Sequence, residues 1–261
     1  MATGGWLVNQ SRRERRDNPN TLTDTQVAQM IDTIEEMENY TKLKPELDLL
    51  MRMRDKALIA LSWIFFKRGG ENLRVKLGDV YFNDNELLVT FTISKKSKRE
   101  KVCPVCKDTN GGRTKFCKNC GQDLILVKVE RSGSNLVVTK GKSTDYKFCT
   151  FVMDWTLKLR DMGGSAKDAL FPRYTHFGGF QYDKSIKTVQ RLDQILQKID
   201  PIMTSHMFRY GAAEKFLRLG YTPYDLKEIG DWATTQMPEL YAKRQGLTQT
   251  QKRFSQDTRV T

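Results

Sequence analysis

Two groups of residues have the types and spacing for chemistry. The first is Cys103-Pro104-Val105-Cys106 with Cys117-Lys118-Asn119-Cys120, two C-x2-C knuckles ten residues apart. Two tight turns, each presenting a pair of thiolates, supply the four ligands of a tetrahedral zinc site. Two disulfides or a redox C-x-x-C pair are the competing readings. Two knuckles rather than one, with no secretory signal, favour zinc. Four thiolates leave no open coordination position, so the site reads as structural, with a formal charge of about −2. Lys98, Arg99, Lys101, Lys107, Lys115 and Lys118 lie close enough in sequence to offset that charge or to touch phosphate. Cys149 falls outside the motif and reads as a small buried hydrophobe.

The second group is dispersed. Arg68-Gly69-Gly70-Glu71 ends an apolar stretch, with Asp79 eleven residues after Arg68. His206-Met207-Phe208-Arg209 places a histidine and an arginine on one helix face. Trp232 follows Arg209 by 23 residues, and Tyr241 follows Trp232 by nine. Guanidiniums clamp anionic oxygens in pairs, and a tyrosine can serve as a nucleophile. Taken singly, each signal has a plainer explanation: an R-x2-E is usually a surface ion pair, and a lone tyrosine is usually filler.

In order and spacing together, the series resembles the catalytic domain of the tyrosine recombinase/phage integrase family. There a first arginine ends a helix as R-x2-E, and a small sheet bearing a lysine follows. An H-x2-R motif comes next, then a His or Trp, and nine residues later the nucleophilic tyrosine. The stretch Arg54 to Leu61 also looks like the helix that leads into the first arginine. The resemblance covers roughly residues 22–243, and the knuckles look like the insertions of some archaeal integrases, which suggests an archaeal or viral mobile element.

The resemblance implies that Tyr241 attacks DNA and leaves a 3′-phosphotyrosyl link and a free 5′-hydroxyl, with no metal in the chemistry. Arg68 and Arg209 would clamp the non-bridging oxygens. His206 would assist proton handling, and Trp232 would donate its indole N–H and pack against the helix of Tyr241. Glu71 reads as orienting Arg68. The acid for the leaving oxygen would be a lysine: Lys95 is favoured, with Lys96 and Lys140 as alternatives. His176 reads as a loop histidine. Tyr210 stands where many members have His, and Asp231 where Gly is usual. Double-stranded DNA is the implied partner, bound by a homo-tetramer. The rivals are a type IB topoisomerase-like activity and a non-catalytic zinc-ribbon DNA-binding protein.

The expected fold class is α+β, a mainly helical catalytic domain with a small antiparallel sheet and an inserted four-cysteine zinc ribbon. Thr23 and Gln26 form a capping box behind which Val27, Met30, Ile31 and Ile34 recur at helical spacing. A second helix is expected from near Pro45 to Phe66, broken at Gly69-Gly70. Glu86 to Ser94 alternates as a strand, and Asn135 to Thr139 is another candidate. Phe151 to Leu159, Ser185 to Ile199 behind a Ser185 cap, and Met203 to Leu219 read as helices. Gly220 stops the last of these, Thr222-Pro223 opens a short helix, and Glu239 to Lys243 begins the final one.

The expected division is a basic arm over 1–21, a catalytic domain over 22–261 and a zinc ribbon over 99–125 within it. Family members carry a helical core-binding domain ahead of the catalytic one, and the arm and the knuckles are the candidates for closing a clamp on DNA. The tail from Gln245 to Thr261 could dock on a neighbouring subunit.

Composition is consistent with this reading. The chain has 261 residues and a net charge of +13, which suits a polyanionic partner. Its 39% hydrophobic content excludes wholesale disorder. No run of apolar residues is long enough to span a bilayer, and the N-terminus lacks a signal pattern, so the expected location is cytoplasmic.

Overall fold

The computed structural model describes residues 22–244 except 39, 84–85, 95–97, 129, 133–135, 176 and 178. The expected capping box closes: Thr23 Oγ1 accepts the Gln26 N–H, and Gln26 Oε1 accepts the Thr23 N–H. It starts α1 (Asp24–Glu36), which buries Val27, Met30, Ile31 and Ile34.

Helix α2 (Pro45–Phe65) is the centre of the packing. From Ala57 to Leu61 every residue is buried, which is what a helix packed on all sides requires. It ends within one residue of the expected Phe66, which turns left-handed at φ 36°. Gly69 and Gly70 instead open a short helix, α3 (Gly69–Asn72), for which Arg68 is the N-cap.

After a 3-10 turn at Leu77–Asp79 come β1 (Val80–Phe82) and β2 (Leu87–Ser94). Their register pairs Val80 with Val89. The ribbon strands β3 (Lys98–Val102), β4 (Thr109–Gly111) and β5 (Glu130–Ser132) form their own antiparallel sheet in the order β4-β3-β5. Strand β6 (Leu136–Ser143) completes the first sheet as β1-β2-β6. The contacts divide the chain into one unit up to Phe91 and from Lys140, and a second over Thr92–Thr139.

Helix α4 (Tyr146–Asp161) packs on α2 through Phe148, Val152, Trp155 and Leu159, and Cys149 is buried with them. Burial also pushes the Cys149 thiol up. Where the sequence suggests a loop ahead of Ser185, the chain forms a hairpin of β7 (Pro172–Thr175) and β8 (Gly179–Ser185). Tyr174 stacks edge-on against Phe180 across it, the kind of aromatic pair that holds two strands in register. The following helix, α5 (Val189–Ile199), therefore starts four residues later than expected. Its cap is Thr188, whose side chain accepts the Arg191 N–H, and Ser185 instead ends the hairpin.

Helices α6 (Ser205–Arg218), α7 (Pro223–Ile229) and α8 (Gln236–Arg244) complete the chain. Gly220 takes φ +100° after α6, and Thr222 caps α7 in a capping box with Asp225. No helix among the described residues is long and apolar enough to cross a membrane.

Candidate functional site

The left-handed Phe66 reverses the chain as α2 ends and turns Arg68 outward, so that 46% of its side chain is exposed. Glu71 is buried and holds it: Arg68 Nη1 donates to Glu71 Oε1 at 2.9 Å, and Glu71 Oε2 accepts the Arg68 N–H at 2.9 Å. The ion pair read from the sequence is present, and it aims a guanidinium that keeps its other donors toward solvent.

Helix α6 brings Arg209 to the same region from the other side. The residue is 5% exposed, and its guanidinium donates to the Phe66 carbonyl at 2.9 Å and the Gly230 carbonyl at 2.5 Å. The Trp232 ring covers it, with Arg209 Cζ 3.8 Å from the ring centroid. Burial and the Arg68 charge lower its pKa to about 10, while Glu71, Tyr241 and Asp231 pull the other way. The group stays cationic at neutral pH. Two of its five N–H donors are committed to those carbonyls, leaving others for an anion.

Tyr241 on α8 completes the cluster. Its ring lies 6.1 Å from Trp232 and 4.9 Å from Tyr210, edge-on to both. Tyr210, which stands where many recombinases have His, thus braces Tyr241. His206, one turn before Tyr210 on α6, is exposed, with its ring 6.4 Å from Tyr210. The structure therefore gathers Arg68, Arg209, Trp232 and Tyr241, with His206 at the edge. Lys95, Lys96, His176, the arm and the tail lie outside the described residues. Lys140 is exposed on β6.

Sequence reasoning missed Lys67. It is 5% exposed, ion-paired with Asp231, and donates to the Ile229 carbonyl at 2.7 Å. Its only sequence signal is a lysine at the end of an apolar helix, where a hydrophobe would be ordinary.

The four knuckle cysteines form a second site in the smaller unit. Their Sγ atoms all lie within 4.8 Å of one another, with Cys103 to Cys120 at 3.6 Å and Cys106 to Cys117 at 3.5 Å. Ligands about 2.3 Å from a tetrahedral centre are about 3.8 Å apart, so a metal fits, whereas a disulfide needs about 2.05 Å. The two knuckles repeat one hydrogen-bond pattern. Lys107 N–H donates to Cys103 O and Gly121 N–H to Cys117 O, each at 3.0 Å. Residues 107 and 121 both take positive φ, 60° and 74°.

Backbone N–H groups favour the thiolate at Cys103 and Cys117, whereas the neighbouring thiols and burial push Cys120 up. The Cys120 N–H leads in lowering Cys117 to about 6, helped by the Asn119 N–H and the Asn110 side chain against the effect of burial. Lys101 is buried beside the cluster and donates to the Leu124 carbonyl at 2.6 Å.

No family model and no curated protein matches the sequence. Among solved structures, XerA recombinase matches with a TM-score of 0.53 at 13% identity, over 92% of this chain and 64% of that one. XerH site-specific recombinase, bound to its difH substrate before cleavage, matches at 0.51 and 12%, over 86% of this chain and 50% of that one. Its complex after cleavage, on palindromic difH, gives 0.50 and 12% over the same shares. The chain has the fold of these recombinases. It spans between half and two thirds of their length.

Proposed function

We propose that the chain is a site-specific DNA recombinase or integrase that cuts and rejoins strands through Tyr241. The observation that carries this reading is the buried Arg209, which lies under Trp232 and is coupled in charge to both Arg68 and Tyr241. A desolvated guanidinium beside a phenol and a second, half-exposed guanidinium suits a phosphodiester in transition to five-coordination.

In this reading Tyr241 passes its phenolic proton to His206 or to solvent, its Oη attacks phosphorus, and the bond to the 5′-oxygen breaks. The 5′-hydroxyl leaves with a proton supplied by Lys95, or by Lys96 or Lys140 in its place. The phosphate stays on Tyr241 as a 3′-phosphotyrosyl ester, which conserves the bond energy until another 5′-hydroxyl reverses the step. Arg68 and Arg209 hold the non-bridging oxygens, with His206 and Trp232 as further donors. The four cysteines hold a zinc ion, which shapes the ribbon and takes no part in bond breaking.

Double-stranded DNA is the substrate of this mechanism, and the neighbour XerH is bound to its difH substrate. A groove of about 840 Å³ in the larger unit supports a backbone-binding role. It is lined by Arg54, Arg173, Lys187, Arg191 and Lys198, with no carboxylate. Exchange between two sites requires a tetramer on DNA, as in the family resembled.

The test is covalent trapping. The protein is incubated with a pool of nicked duplexes randomised across the site, then denatured and resolved. The expected result is a protein–DNA adduct that persists in EDTA and vanishes in Tyr241→Phe. Tight DNA binding without any adduct would overturn the enzymatic reading.

A further inference from the structure

Lys67, just past the end of α2, meets the turn Ile229-Gly230-Asp231 across more than 160 residues of sequence, and Arg209 ties that turn to the Phe66 carbonyl. Two buried cations grip this turn at consecutive residues. Lys67 takes the Ile229 carbonyl and the Asp231 carboxylate, and Arg209 takes the Gly230 carbonyl. The next residue, Trp232, has its ring 3.8 Å from Arg209 Cζ and is edge-on to Tyr241.

Asp231 sits at φ +52°, a region that costs a residue with a Cβ and costs glycine nothing. The family resembled usually has Gly here, and glycine would reach this conformation unaided. Asp is among the few side chains that tolerate it, and the carboxylate gives a reason for its presence. It neutralises a buried ammonium, which the Phe91 ring also approaches at 5.6 Å from Lys67 Nζ. Lys67 is poorly placed to touch DNA, since only 4% of its side chain is exposed. Burial lowers its pKa while Asp231 and Glu71 raise it, as befits a cation held by its partners and withdrawn from solvent.

We propose that Lys67 and Asp231 are a positioning pair that sets the turn before Trp232, and through it the seating of Trp232 on Arg209 and beside Tyr241. The proposal rests on the functional reading above only for its effect on catalysis. Its structural half stands independently.

The test uses the full chain with Lys67→Met, Asp231→Asn, Asp231→Gly, the conservative Lys67→Arg and the double variant Lys67→Met/Asp231→Gly. Two readouts are compared: the rate of adduct formation on duplexes recovered from the trapping pool, at saturating protein, and the indole N–H resonance of Trp232, assigned with Trp232→Phe. Lys67→Met and Asp231→Asn are expected to slow the adduct by about 10²-fold, the scale of a small misplacement at a reacting centre. DNA affinity should change by less than about threefold, and the Trp232 resonance should move.

Lys67→Arg should recover most of the rate. The double variant should recover it further than either single change, because an uncharged pair with glycine restores both the conformation and the charge balance; non-additivity is the signature of coupling. Single variants with wild-type rates, a double variant equal to the product of the singles, or a Trp232 resonance that stays in place would each overturn the pair. If the wild type gives no adduct, the functional reading fails, and the Trp232 resonance, read on the variants that fold, still decides the pairing.

Discussion

At the scale of single residues, Arg209 combines two tasks that a lysine cannot share. Its planar fork reaches the Phe66 and Gly230 carbonyls and still presents donors on the same plane, with Trp232 stacked on one face. Arg209→Lys keeps the charge and loses the fork and the stack. Adduct formation is expected to fall by about 10²–10³-fold, the range for removing one preorganised donor set, measured as single-turnover rate against DNA affinity. Gly230 is constrained more simply: a Cβ there would meet Trp232 Cζ3 at 1.9 Å. Gly230→Ala is expected to cost at least about 1–3 kcal/mol by overpacking. Trp232→His should relieve part of that cost, and denaturant titration of the three variants checks it. Neither constraint is visible along the chain, because Trp232 and the carbonyls that Arg209 seeks meet it only in the folded state.

At the scale of elements, what was readable in the sequence is what forms by local contact. The Thr23 capping box closes over three residues, and the knuckle spacing encodes a metal geometry directly. The hairpin Pro172–Ser185 was missed because its register shifts between Pro172 and Arg173, and because glycine and aromatics mask the alternation of a strand. The slip from Ser185 to Thr188 has a local cause as well, since both residues can cap and Ser185 Oγ turns instead to the Ile186 carbonyl. The Lys67–Asp231 tie is unreadable for the opposite reason, since 164 residues separate its ends.

Two expectations follow for elements. Lys107 holds a left-handed position that Gly121 fills in the other knuckle. Lys107→Gly is expected to tighten metal binding by about 1 kcal/mol, read by competition with a chromophoric chelator. Asp48 near the start of α2 accepts from Thr41 N–H and Oγ1 and from Arg52 Nε. Burial pushes its carboxyl up, but the Thr41 and Arg52 contacts outweigh that and hold it below its ordinary value of 3.8. Its contribution is therefore complete above that ordinary value and lost as pH falls through the lowered one. Asp48→Asn should cost about 1–2 kcal/mol at neutral pH and remove that acid-side loss, as stability measured against pH would show.

At the scale of the whole molecule, the net charge of +13 favours a polyanion, and Arg173, Lys187, Arg191 and Lys198 line the groove beside the hairpin. Arg173→Gln with Lys187→Gln is expected to lower the slope of log affinity against log salt by about 2, roughly 0.9 per lost phosphate contact. Binding measured between low and moderate salt tests this. Metal removal is a separate axis. A chelator strong enough to strip four thiolates should collapse the amide signals of Thr92–Thr139 and leave those of the larger unit dispersed, since each unit has its own core.

The division into units also has a consequence for how the protein is made. The larger unit is built from two stretches of chain separated by the 48 residues from Thr92 to Thr139. Helix α2 leaves the ribosome with its apolar surface complete, yet its main packing partner, α4, lies beyond the ribbon. At the usual rate of synthesis those 48 residues take about 2–10 s. For at least that interval the face of α2 that α4 covers in the finished protein stays exposed, with α1 already available for the other side. The nascent chain is thus a natural client for a chaperone, and the speed of translation through the ribbon bears directly on yield.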